Sequence, residues 1–368
     1  MANTEEKNAL CASRMNKVGG QAVMEGVMMK AGDRTVTTCR KEDGSLVVFD
    51  DVFTSVRKKH KILNLPLIRG VVNFVEMMKL SIKTMESSAE ALGIEEEETK
   101  FEIWMKKHLG LKLTDVVMVI ATVLGVLLSL GLFLALPRAV ASLIPNLENY
   151  PVYKSLVEGG SKVVIFLLYL FLISLVPDIK RVFMYHGAEH KSIACFEAGG
   201  ELTPENAKNY TRFHPRCGTS FMFFMILIGV VVGIFINTLW PGLPNAAYVG
   251  IRLLLLPLVV GIGYEFILYA GKHCNLFTRA LSAPGLWVQR LTTKEPELDM
   301  LEVAITSIKV ALRDSDPAFM AFYEEKGWEK KEAAPDAADA DAVALEETQN
   351  GEDVEPAEPV LDDRKTLE

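Results

Sequence analysis

The run Tyr185-His186-Gly187-Ala188-Glu189-His190-Lys191 carries two imidazoles four residues apart with a carboxylate between them. On a helix, positions i and i+4 share a face, and i+3 lies beside them. Two imidazoles so placed can grip a divalent cation while the carboxylate moves a proton. The letters match H-x-x-E-H, the inverted zinc-protease pattern. Downstream, His214-Pro215-Arg216-Cys217-Gly218 adds an imidazole and a thiol within four residues. Glu265 is a further donor, set in an otherwise apolar stretch where an ionisable group faces a partner or a cavity. His186, His190, His214, Cys217 and Glu265 together offer the nitrogen, sulfur and oxygen ligands of a zinc-type centre, with Glu189 as general base. Zinc is the expected cofactor, held by His186, His190 and one of His214, Cys217 or Glu265. Each residue also has a plainer reading as a surface, capping or helix-pairing group.

Hydrophobicity dictates what must position these groups. Of the 368 residues 50% are hydrophobic and 23% charged, and the apolar ones pile into four blocks. Residues 116–136 carry no charge, and at about 1.5 Å per residue they cross a hydrocarbon core of about 30 Å. Residues 163–176 form a shorter core that needs flanking turns, with Lys162 able to snorkel. Residues 221–239 and 253–270 complete the set, the last containing Pro257 and Glu265. The expected fold class is mainly α and integral to the membrane, built on a four-helix transmembrane bundle.

Basic residues orient that bundle. Connections 137–162 and 237–252 hold four Lys and Arg, whereas 98–115, 177–218 and 271–294 hold fourteen. The positive-inside rule puts the second group and both termini in the cytoplasm, in the inner (plasma) membrane. All six histidines and all five cysteines then share the cytoplasmic side, which suits reduced thiols. No apolar h-region follows the first residues, so the first span is expected to serve as the targeting signal. The formal charge of −8 is misleading: residues 329–368 hold fourteen acidic and four basic residues, leaving the preceding 328 at +2.

The remaining segments follow from pattern. Thr35–Cys39 and Leu46–Phe49 flank a turn at Asp43-Gly44 and predict a small cytoplasmic β-hairpin region. In residues 62–85 the polar groups Arg69, Asn73, Glu76, Lys79 and Lys83 recur at helical spacing, which suits an interfacial helix or one buried against the bundle. Glu95–Glu98 reads as a solvated link. Leu298, Leu301, Ile305, Ile308 and Leu312 mark an amphipathic helix with Thr293 and Pro296 as start signals, and the Ala/Asp/Glu/Pro tail is expected to be disordered. The expected divisions are 1–60, a β-containing segment; 61–113, interfacial helix and acidic linker; 114–272, four spans with a cytoplasmic His loop at 177–218; 273–328, cytoplasmic amphipathic helices; and 329–368, the tail.

Gly19-Gly20-Gln21-Ala22-Val23-Met24-Glu25-Gly26-Val27-Met28-Met29 allows sharp turns or close backbone approach, but no Lys-Ser/Thr follows as a phosphate-cradling loop requires. Nucleotide and nucleic-acid partners are therefore not expected. Together GGQAVMEGVMM, YHGAEHK, HPRCGTSF and the run from Pro284 through PGLWVQRLTTKEPELDMLEVAI resemble the YqhQ-like family of bacterial membrane proteins, over residues 18 to 313. That family is of unknown function and often labelled as predicted metal-dependent enzymes. The resemblance implies a multi-pass inner-membrane protein and transfers His186, Glu189, His190, His214 and Cys217 as motif positions, with no established reaction or substrate. The leading expectation is a membrane-embedded, metal-dependent hydrolase. The alternatives are a scaffold or chaperone for other membrane proteins, with structural metal or none, and a transporter using Glu265.

Overall fold

The computed structural model of the chain describes residues 14, 17–93, 113–272, 276–326 and 328. The acidic tail, Glu95–Glu98, His108, His273, Cys11 and Cys274 lie outside the described residues. Residues 18–52 form a four-stranded antiparallel sheet in sequential order, β1 (Val18–Val23), β2 (Gly26–Ala31), β3 (Arg34–Arg40) and β4 (Leu46–Val52). The expected hairpin is β3–β4, with Thr38 opposite Val48. The glycine-rich motif, read as turns or close approach, forms β1 and β2 as well, so the sheet is twice the expected size. Glycine and methionine carry little strand preference, and β2 is buried on both faces, which erases polar alternation.

The helices in chain order are α1 (Ile68–Ala91), α2 (Leu113–Leu130), α3 (Leu136–Ser142), α4 (Pro151–Ile173) and α5 (Pro177–Glu197). They continue as α6 (Gly218–Leu239), α7 (Asn245–Lys272), α8 (Leu276–Thr292), α9 (Leu298–Ala311) and α10 (Pro317–Lys326). Among the described residues, four stretches are long and apolar enough to cross a membrane: Ile120–Ser142, Pro151–Ile173, Gly218–Leu239 and Asn245–Ala270. The second starts at Pro151 rather than at 163, so Lys154, Glu158 and Lys162 lie within its helix.

Two helices cover one face of the sheet. Val18, Val27, Met29, Val36 and Val48 pack with Tyr185 and Ala188 of α5 and with Leu301, Ala304 and Ile308 of α9. The predicted amphipathic helix at 298–312 is therefore a core element, buried along most of its length. On the opposite face Val23, Cys39 and Phe49 meet Ala91 of α1. Residues 177–218 are not simply a loop: α5 occupies their first half, started by Pro177 in its first turn.

α1 places Arg69, Asn73 and Glu76 of its polar stripe inward, while Lys79 is exposed. Glu76 is buried and accepts from Ser55 Oγ and the Val56 N–H, Asn73 accepts from Arg57, and Arg69 pairs with Glu265. Its exposed face carries Phe74, Val75, Met78, Ile82 and Met85 outward, with Lys79, Glu86 and Glu90 among them. So many outward apolar side chains depart from the pattern of a helix on a water-soluble core. Gly70 packs against α7 so closely that an added Cβ would lie 2.8 Å from Tyr264 Cβ and 3.1 Å from Gly261 Cα.

Candidate metal centre

α5 presents His186 and His190 on one face, as i, i+4 spacing requires, with ring centres 4.4 Å apart. Cys217 is the N-cap of α6, which brings its sulfur to 3.2 Å from His186 Nε2. The ligand atoms of His186, His190 and Cys217 all lie within 4.8 Å of one another, and the latter two residues are buried.

Backbone carbonyls set the tautomers. His186 Nδ1 is 2.9 Å from the Thr292 carbonyl, and His190 Nδ1 is 2.5 Å from that of Arg212. A carbonyl only accepts, so both Nδ1 atoms carry a proton, and in the neutral form of each ring the lone pair sits on Nε2. Histidines that bind metal are oriented by such a second hydrogen bond.

Glu189 is buried beside them, its Oε2 3.8 Å from His186 Nε2. Burial pushes its carboxyl up to about 7, while His186 and a hydrogen bond from the Gly20 N–H pull the other way. Gly20 is required by this approach: an added Cβ would lie 2.5 Å from Met28 O and 3.1 Å from Glu189 Cγ. Gly187 has the same role on the helix, where a Cβ would lie 2.0 Å from Lys294 O.

His214 stands next to this group without entering it. Its ring centre is 5.6 Å from that of His190, but Nε2 accepts from Arg216 at 3.2 Å and lies 3.6 Å from Glu197. Burial above all lowers its affinity for a proton; Glu197 opposes this and Arg216 adds to it. Glu265 is held elsewhere. Arg69 grips it bidentately, Nε to Oε1 at 2.6 Å and Nη2 to Oε2 at 2.5 Å, and the Leu67 N–H reaches Oε1 at 3.4 Å. A carboxylate in an apolar helix thus meets a guanidinium and the start of α1, where helices favour negative charge.

Gln289 was not singled out by its sequence context. Fully buried on α8, it accepts from the His214 N–H at 2.8 Å and donates to His214 O at 2.7 Å and Ser220 Oγ at 2.9 Å. It clamps both sides of Cys217. An interior glutamine in an amphipathic run is the one cue the sequence holds. Lys191, also buried, donates to Lys208 O and pairs with Glu295. Glu25 at the β1–β2 turn pairs with Arg181 on α5. The glycine-rich, histidine, His-Pro-Arg-Cys and Pro284 motifs therefore all touch this one region, and Glu265 does not.

A helical bundle carrying a β-sheet module and a His/His/Cys cluster defines the class, and the chain belongs to the family described as "Protein of unknown function (DUF1385)", matched over residues 65–314. It is 38% identical over 301 residues to the uncharacterized protein YqhQ of Bacillus subtilis (strain 168), covering 80% of this chain and 92% of that relative. No solved structure matches the chain.

Proposed function

We propose that this protein is a membrane-embedded, metal-dependent enzyme of hydrolase type whose metal is held by His186, His190 and Cys217. The carrying observation is the convergence of three donor atoms within 4.8 Å, with both imidazoles pre-oriented by carbonyls. Two imidazole nitrogens and one thiolate suit zinc, and three protein ligands leave a position open, as in catalytic rather than structural sites. When bound, such a metal supplies Lewis-acid polarisation of a carbonyl or phosphoryl oxygen. Glu189, beside His186, accepts a proton from an entering water and returns it to the leaving group. His214, Glu197 and Arg216 form the adjoining polar wall. The four apolar helices are read as spans, with the β-sheet module and the histidine pair on the cytoplasmic side by the excess of basic residues there.

Metal analysis of purified protein tests the site: one zinc per chain is expected, lost in H186A/H190A and in C217S with the fold retained. Unchanged metal content in the variants overturns it. E189Q tests the chemistry, because an enzyme loses function while keeping its metal. The exposed apolar residues of α1 favour a second reading, a scaffold or chaperone docking other membrane proteins, in which E189Q leaves function intact.

A further inference from the structure

A second cluster of charge lies far from the histidines. Asn237 bonds Ser155 Oγ at 2.9 Å near the end of α6 opposite Cys217, about 30 Å away at about 1.5 Å rise per residue. Around that end gather Arg138 of α3, Glu158 of α4, and Tyr248 and Arg252 of α7, with Lys162 four residues beyond Glu158 on the same face of α4. The Tyr248 hydroxyl donates to Glu158 Oε2 at 2.6 Å, and both guanidinium groups lie against its ring, 4.0 and 4.9 Å from the centroid. The side chains of Glu158 and Arg252 are 3% and 9% exposed. Gly233 makes room for Arg252: a Cβ there would fall 2.1 Å from Nη2.

The cluster is incomplete in two respects. Arg252 Nε is a buried donor without a hydrogen-bond partner, and Arg138 Nη1 meets only Glu158 Oε1, at 3.7 Å, while its other nitrogens bond Asn245 Oδ1 and the Leu243 carbonyl. Charge is also unbalanced: Arg138, Lys162 and Arg252 face one carboxylate, since Lys154 is matched separately by Glu148 at 3.0 Å. Arg138 and Arg252 stand 3.7 and 4.0 Å from Glu158, too far for strong hydrogen bonds. Lys162, one helical turn beyond Glu158, makes no ion pair within 4.0 Å among the described residues. Two surplus positive charges recessed among apolar helices are costly unless an anion joins them. A guanidinium fork matches a tetrahedral oxyanion bidentately, and a phosphate carries the one to two negative charges that balance the site.

We propose that Arg252, Lys162 and Arg138 form a recessed receptor for a phosphate-class anion, the headgroup phosphate of an anionic phospholipid or free phosphate. Glu158 and Tyr248 position the two arginines and set how much negative charge the site accepts. This site is independent of the metal centre.

The test uses the full chain in nanodiscs of phosphatidylcholine, with phosphatidylglycerol added in one arm and inorganic phosphate in the other. Native mass spectrometry reads retained phosphatidylglycerol, and thermal unfolding reads saturable stabilisation by phosphate. Retention in the first arm assigns the site to lipid, and stabilisation in the second assigns it to the free anion. K162Q and R252Q weaken whichever is seen by about tenfold, as loss of a charge-assisted hydrogen bond requires. E158Q, which removes the carboxylate that faces Arg138 and Arg252, tightens it severalfold. No response in either arm, or unchanged or weaker binding in E158Q, overturns the proposal. Should R252Q fail to fold, K162Q and E158Q still decide between a receptor and a closed ion-pair network.

Discussion

Gly20 on the first strand packs directly against Glu189 on α5, where an added Cβ would lie 3.1 Å from Glu189 Cγ. This contact joins the glycine-rich motif to the histidine motif and lets a buried carboxylate sit beside His186. Gly20→Ala puts a Cβ 2.5 Å from Met28 O and 2.8 Å from Met29 Sδ and is expected to lower stability by about 1–3 kcal/mol. Its neighbour is the control. Nothing lies within 4 Å of a Cβ at Gly19, so Gly19→Ala should stay within about 0.5 kcal/mol of wild type. Thermal unfolding in detergent compares the two, and equal losses contradict the contact.

Gln289 supports the centre from outside it. Gln289→Leu strands the His214 N–H, at about 1–3 kcal/mol, and leaves the His214 carbonyl only the 3.4 Å contact from the Cys217 N–H. The loop carrying Cys217 loosens, so zinc affinity is expected to fall about 10–100-fold. Competition with a chelator measures this, and an unchanged affinity removes the positioning role.

The pairing of Arg69 with Glu265 separates two assignments for that carboxylate. E265Q should keep full zinc content, unlike H186A/H190A. R69Q and E265Q should each destabilise, and the double variant should be little worse than either. A coupling of about 0.5–3 kcal/mol in the double-mutant cycle is expected for groups in contact. Zinc lost from E265Q would return this residue to the metal.

Acid should loosen the join between sheet and α5. The Arg181 hydrogen bond holds Glu25 below its ordinary value, with burial opposing and further support from the charge of Arg181 and from Tyr185. A depressed carboxyl stabilises the fold above its unfolded value and loses that contribution as pH falls through its folded value. The wild type should therefore lose part of its stability below about pH 4.5, and Glu25→Gln should show a flatter acid limb in unfolding midpoint against pH. Parallel limbs would show that this pair contributes nothing there.

The four apolar helices, the β3–β4 hairpin and the helix at 298–312 were readable because their patterns are local. Long uncharged runs, alternation across a Gly44 turn and apolar steps of three and four each follow from a few neighbouring residues. Strands β1 and β2 were not readable. Their Gly and Met residues take strand form because both faces are covered by α1, α5 and α9, and no short window contains that cover. The polar stripe of α1 was visible at its spacing, but its direction was not, since only the partners Ser55, Arg57 and Glu265 turn Glu76, Asn73 and Arg69 inward.

The i, i+4 spacing of His186 and His190, with Glu189 beside them, is covalent and helical geometry, so the chain alone determined the pair. Which donor joins the pair was decided in three dimensions. Cys217, His214 and Glu265 are equally plausible on paper, but Cys217 caps α6 against His186, His214 turns to Arg216 and Glu197, and Arg69 occupies Glu265. Those choices depend on contacts between residues far apart along the chain, which packing alone brings within a few ångströms.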